Sequence, residues 1–132
     1  MRFFIVFSML CAGCAGSATR PGDTRLGQPF ELRSGASAIL DGGLTITFDR
    51  VASDSRCPMD ALCIRAGDAI VAVSISQGAG GPVRRELHTD PVGSEASYLV
   101  YSIKLLSLAP YPRSDLQIGP GDYVATLTVG RK

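Results

Sequence analysis

From position 29 onward apolar and polar residues alternate with a period of two, the pattern of strands with one buried face. Phe30 and Leu32 alternate with Glu31 and Arg33 before a Ser34-Gly35 turn, and residues 36–40 form a second short extended piece. Asp41-Gly42-Gly43 supplies residues that tolerate positive φ, so it reads as a hairpin turn. Leu44, Ile46 and Phe48 then share the buried face of a strand over residues 44–49. After a loop at 53–67, Ala69, Val71, Val73 and Ile75 line one face of another strand, which residues 77–82 turn round. Val83, Arg85, Leu87 and Thr89 alternate with Arg84, Glu86 and His88, and so many charges predict a sheet edge that resists further pairing. Residues 90–97 read as a loop, and 98–108 as the longest apolar-rich strand, with a bulge at Leu105-Leu106 where the alternation blurs. Pro110 and Pro112 exclude regular structure over 109–114. The last strand, 122–129, turns Tyr123, Ala125, Leu127 and Val129 inward.

That makes about seven short strands, with turn signals about every 8–12 residues and no amphipathic helical stretch. The expected fold is all-β, an antiparallel Greek-key (immunoglobulin-like) β-sandwich over residues 28–132, with a small β-barrel as the alternative architecture. Gly119-Pro120-Gly121-Asp122-Tyr123 favours the sandwich, because it looks like a tyrosine corner, in which the Tyr hydroxyl bonds upstream backbone.

The alternation is absent before position 28. Arg2 is a one-charge leader to an apolar run over residues 3–10, far short of the roughly 20 residues that span a bilayer. Residues 1–13 therefore read as a secretory signal peptide. The run ends in Leu10-Cys11-Ala12-Gly13-Cys14, which resembles the bacterial lipobox, with small residues before a cysteine that receives diacylglycerol. Cys11 stands where that pattern usually has Leu, and Cys14 is the lipidation candidate. One acyl chain binds only marginally, at about 0.8 kcal/mol per buried CH₂, so the two or three chains on such a cysteine make a stable anchor. Residues 14–27 have little apolar content and read as a lipidated N-terminus and flexible tether. Ala15 rather than Asp follows the cysteine, which by resemblance to Gram-negative lipoproteins favours the outer membrane, facing the periplasm. The alternative is cleavage after Ala18, giving a soluble periplasmic or secreted protein.

Composition narrows the function classes. The 132 residues suit one domain, and 45% hydrophobic content with 15 Gly and 8 Pro suits a turn-rich globule. Loss of Arg2 with the signal leaves twelve of thirteen basic residues against twelve acidic ones. With no basic run, that balance argues against nucleic acid and against electrostatic docking on anionic lipid. No paired acids, Ser-His-Asp set or metal cluster is legible, so neither a catalytic residue nor a cofactor is expected.

The cysteines carry the remaining chemistry. Cys11 leaves with the signal and Cys14 takes the lipid, so Cys57 and Cys63 remain as an even pair in an exported chain, which reads as a disulfide. Six residues of continuous helix rise about 9 Å, beyond the roughly 7 Å a disulfide bridges between Cα atoms, so the chain between them must bend back. Two other readings stay open. The C-x₅-C spacing is not that of a C-x-x-C redox pair, and zinc lacks four ligands, but Cys57, Met59, Cys63 and His88 are soft enough for copper(I). Asp54, Asp60 and Asp68 lack calcium-loop spacing and read as turn and cap residues.

The stretch Asp54-Ser55-Arg56-Cys57-Pro58-Met59-Asp60-Ala61-Leu62-Cys63-Ile64-Arg65-Ala66-Gly67-Asp68-Ala69 resembles the D-S-R-C-P-x-D-x-x-C-x-W-x-G-x-A signature of a family of small bacterial lipoproteins and exported proteins. Tyr101 to Leu105 and Pro120 to Tyr123 are similar too, so the likeness covers most of the mature domain. Arg65 departs from it, standing where that family usually has Trp. The resemblance implies export and membrane attachment and brings no activity with it. The expected function is thus a lipid-anchored, non-enzymatic envelope protein stabilised by one disulfide. The alternative is a loop-mediated protein-binding or inhibitor module for an envelope partner, reading through Arg56, Pro58, Met59, Asp60, Arg65, Tyr111 and Arg113. A metal or redox protein built on the Cys57–Cys63 region is the lesser alternative. Arg56 itself is expected to brace Asp54 or Asp60.

Overall fold

The computed structural model describes residues 24–132, so the signal segment, Cys11, Cys14 and the Ala18 cleavage site lie outside the described residues. Eight strands follow one another: β1 Phe30–Arg33, β2 Ser37–Leu40, β3 Leu44–Asp54, β4 Ala69–Gln77, β5 Val83–His88, β6 Glu95–Tyr98, β7 Tyr101–Ala109 and β8 Val124–Arg131. They form two four-stranded antiparallel sheets, ordered β2-β3-β4-β5 and β1-β8-β7-β6.

The sandwich follows from the alternation. Leu44, Ile46, Phe48, Val71, Val73 and Ile75 from one sheet, with Ile103, Leu127 and Val129 from the other, are fully buried between the layers. All the described strands are antiparallel, so each buries one face and leaves the other to solvent. The chain passes between the sheets at Ser34–Ala36, where the Gly35 amide donates to Phe48 O at 2.7 Å after the Ser34 amide has donated to Tyr123 O at 3.0 Å. Gly35 holds φ at 85°, which a glycine adopts without strain.

Three details differ from the sequence reading. The expected Greek-key order does not occur in either sheet, since neighbours are consecutive meanders apart from the β1–β8 pair that joins the chain's first and last strands. The loop expected at 90–97 ends early, because Glu95–Tyr98 forms a short edge strand on β7. The long strand expected at 98–108 is interrupted at Leu99-Val100, a two-residue turn that pairs Tyr98 with Tyr101. The bulge at Leu105-Leu106 is present as a register shift between Leu105 and Ser107.

The sheets do not close into a barrel. Between the β5 and β6 edges the Arg85 guanidinium donates from Nε to Ser97 O at 3.1 Å, a side-chain bond where a barrel would have a backbone ladder. Arg85 therefore spans the open side of the sandwich. Residues 24–27, expected to belong to the tether, are held to the sandwich: Thr24 bridges Leu40, Leu26 packs on the core and the Gly27 amide donates to Val129 O at 2.7 Å; residues 14–23 of the expected tether lie outside the described residues.

The strands define two ends. One carries Thr24, the β2–β3 and β6–β7 turns and the end of β8. The other carries the segments after β3, β5 and β7, including both cysteines.

Candidate functional site

Cys57 and Cys63 are joined, with Cα atoms 6.0 Å apart. The chain between them makes one turn, in which the Ala61 amide donates to Pro58 O at 3.1 Å, and then bends back as the spacing requires. With the sulfurs bonded to each other, the pair offers no thiolate to copper(I) or zinc. Closing so short a loop stabilises the fold by about 2 kcal/mol on the chain-entropy scale. A second device closes the base of the loop. The Ser55 amide donates to Asp68 O at 2.7 Å and the Cys57 amide to Ala66 O at 2.8 Å, so the flanks of the loop pair like a short hairpin.

Arg56 is buried beneath this loop, its side chain 4% exposed. Its Nε and Nη2 donate to Asp54 Oδ1 and Oδ2 at 2.8 and 2.7 Å, a bidentate pair. Nη1 donates to Leu108 O at 2.7 Å and Nη2 to Pro110 O at 3.0 Å, so one guanidinium ties the end of β3 to the end of β7. Tyr111 stacks against it with the ring centre 5.3 Å away. Asp54 is itself held by the Tyr123 hydroxyl, which donates to Oδ2 at 3.0 Å. This corrects the tyrosine-corner reading: Tyr123 does precede the last strand and point inward, but it bonds the Asp54 carboxylate rather than upstream backbone. Bulges after Phe48 and Val51 bend β3, and Asp54 at its end meets the other sheet. Burial works against the Asp54 charge, yet the hydrogen bonds and charge of Arg56, with the Tyr123 bond, hold its carboxyl below the ordinary 3.8. Burial, and then the Asp54 carboxylate, push the Tyr123 phenol up. Every buried side-chain nitrogen and oxygen among the described residues has a partner.

The proline-rich loop is fastened to the disulfide loop. The Met59 amide donates to Pro112 O at 2.9 Å, and Asp60 accepts from the Ser114 amide at 2.9 Å and from its hydroxyl. Those Ser114 bonds hold the Asp60 carboxyl below its usual range. The structure therefore brings Pro58, Met59 and Tyr111 of the expected reading surface onto one open apolar groove, completed by Cys57 and Ala66, while Asp60 is engaged by Ser114. Arg56 is beneath it rather than on it. Arg113 lies alongside in an exposed pair with Asp115 at 3.2 Å, and Arg65 is exposed on the same loop.

Two features escaped the sequence reading. Leu62 and Ile64 are fully exposed beside Met59, which is 69% exposed. Asp68 gathers the β4–β5 end, with Oδ2 2.5 Å from His88 Nδ1 and Oδ1 accepting from the Thr89 hydroxyl and the Asp90 amide at 3.0 and 2.9 Å. Partial burial opposes its charge, but these bonds, His88's first, hold its carboxyl below the ordinary value. His88 is thus a partnered edge residue. Through these bonds Asp68, just before β4, fastens the segment that follows β5. Comparison of the chain with protein-family models, curated proteins and solved structures finds no match.

Proposed function

We propose that the chain is an exported envelope protein, anchored by lipid on Cys14, whose disulfide-closed sandwich is a binding body rather than a catalyst. The observation that carries this reading is the Cys57–Cys63 bond in a chain that begins with an apolar leader ending at Cys14, since such bonds persist in oxidising compartments. Replacing Cys14 with serine is the test. The wild-type protein is expected in the membrane fraction and Cys14→Ser in the soluble fraction or retained as an unprocessed precursor. A variant that fractionates with membranes like the wild type, at its mature size, rules out the anchor.

A specific observation favours partner binding at the loop end. Met59, Leu62, Ile64 and Tyr111 are 69, 105, 104 and 48% exposed, yet they sit on two loops fixed by a disulfide and a buried Arg–Asp pair. Apolar side chains held rigid in solvent gain nothing for the fold, and preordered anchors of this kind bind without a large ordering cost. A photocrosslinker at Ile64 is expected to capture a discrete envelope protein in cells, whereas one at Gln28, which is exposed away from this loop, captures none. Equal capture from both positions rules this surface out.

A further inference from the structure

The other end of the sandwich carries a feature the fold itself does not need. Leu99 and Val100 form the whole connection between β6 and β7, and both are exposed, at 67 and 58%. Leu99 holds φ at 52°, the left-handed region. A two-residue hairpin turn favours Gly, Asn or Asp where φ is positive, and a leucine there is strained. The folded domain gains no burial from it. Strain maintained at an exposed apolar tip points to a contact outside the domain.

The place of the tip says what that contact is. Thr24 bridges Leu40, Leu40 pairs with Leu44, and Leu44 pairs with Gln77. Gln77 Nε2 donates to the Tyr101 hydroxyl at 3.0 Å, and the Lys132 amide donates to Val100 O at 2.8 Å. The N-terminal segment therefore enters at the end of the sandwich that bears Leu99-Val100. Ten residue steps lead from Cys14 to Thr24, a reach of at most about 36 Å, while the nine residues of β4 separate the two ends by about 30 Å.

We propose that Leu99 and Val100 seat the domain on the bilayer that holds its acyl chains, with the disulfide-loop end facing away. This rests on the reading of Cys14 as the anchor. Two apolar side chains are a weak membrane contact alone, but a tether makes the contact intramolecular, at an effective concentration on the order of millimolar. Insertion is shallow, about 5–10 Å into the headgroup boundary. Arg25, Arg131 and Lys132 are exposed at the same end and Asp41 with them, so headgroup phosphates find cations without a strongly charged face.

The chain contains no tryptophan, so one introduced indole reports a single site. The experiment uses the full processed protein in phosphatidylcholine vesicles with and without brominated acyl chains, after flotation. Val100→Trp, exposed and next to the strained residue but leaving Leu99 itself in place, is the main reporter, Leu99→Trp the second, and Leu62→Trp the control at the far end. The expected result is blue-shifted emission at position 100, quenched at least about two-fold by brominated lipid at this shallow depth, with red emission and no quenching at position 62. Protein that floats while Val100→Trp and Leu99→Trp stay unquenched overturns the seat and leaves the anchor intact. Blue-shifted emission without bromine quenching also overturns it, in favour of contact between copies. Protein that does not float overturns the anchor, and the seat with it.

Discussion

Replacing Arg56 with methionine is expected to destabilise the domain by about 3 kcal/mol, the lower part of the range for breaking a buried ion pair. For a domain of this size that corresponds to a fall in Tm on the order of 15 °C. The cost is not the value of a surface salt bridge. The Arg56 side chain is 4% exposed and bonds two carboxylate oxygens and two carbonyls, so its loss leaves Asp54 charged and Leu108 O and Pro110 O without their donors. Asp54→Leu combined with Arg56→Met is expected to cost less than the sum of the two single changes, because the second replacement removes the charge the first has stranded. Urea denaturation of the three variants measures this, and additive losses would mean the clasp is incidental. The sign of the pH dependence follows from Asp54. Its folded carboxyl titrates below the ordinary 3.8, so its stabilisation is present above that value and is lost as pH falls through the lower folded value. Asp54→Asn is expected to flatten the stability profile below about pH 4.

The second large effect is expected at Gly67. A Cβ there falls 1.8 Å from Ser55 O and 2.7 Å from Ser55 C, backbone atoms that cannot rotate away, and φ is +71°. Gly67→Ala must therefore part the base of the disulfide loop. Backbone strain of about 1–3 kcal/mol adds to the loss of the bonds between Ser55 and Asp68, worth about 1 kcal/mol each. The total expected is about 3 kcal/mol or more. Gly43→Ala is the matched control, with a similar φ of +77° and nothing near the added Cβ, and it should cost only the strain. Equal losses in the two variants would show that the close crossing at Ser55 does not limit the loop.

The contrast between these residues explains how much was legible in the sequence. Leu44, Ile46 and Phe48, and likewise Val71, Val73 and Ile75, announce their strands because alternation is a direct consequence of one face being buried. Edge strand β5 announces itself through Arg84 and Glu86. The β6–β7 turn was hidden because Leu99-Val100 lacks turn residues. One signal was available: Tyr98 points inward from an even position, and Tyr101 and Ile103 from odd ones, a change of parity that an unbroken strand cannot make. The turns at 41–43 and 77–82 announced the β2–β3 and β4–β5 hairpins, but the rest of the strand order could not be read, since alternation fixes which face a residue takes and not which strand lies beside it.

At the site, the Cys57–Cys63 pair was legible from counting and spacing, and Arg56 bracing Asp54 from their nearness in the chain. The partners Leu108 O, Pro110 O and Tyr123 were not, because they are more than fifty residues away and meet only when the sheets pack. The exposure of Leu62 and Ile64 was equally hidden. Apolar residues in a loop imply burial unless the loop is known to be held open, and what holds it is the clasp below.

The anchored, disulfide-closed body is tested most directly by an intact mass of the membrane-extracted protein, alkylated with and without prior reduction. The account predicts a chain that starts at Cys14, carries acyl mass, and gains two alkyl groups only after reduction. A chain that starts near Thr19 without lipid, or thiols that react before reduction, would contradict it.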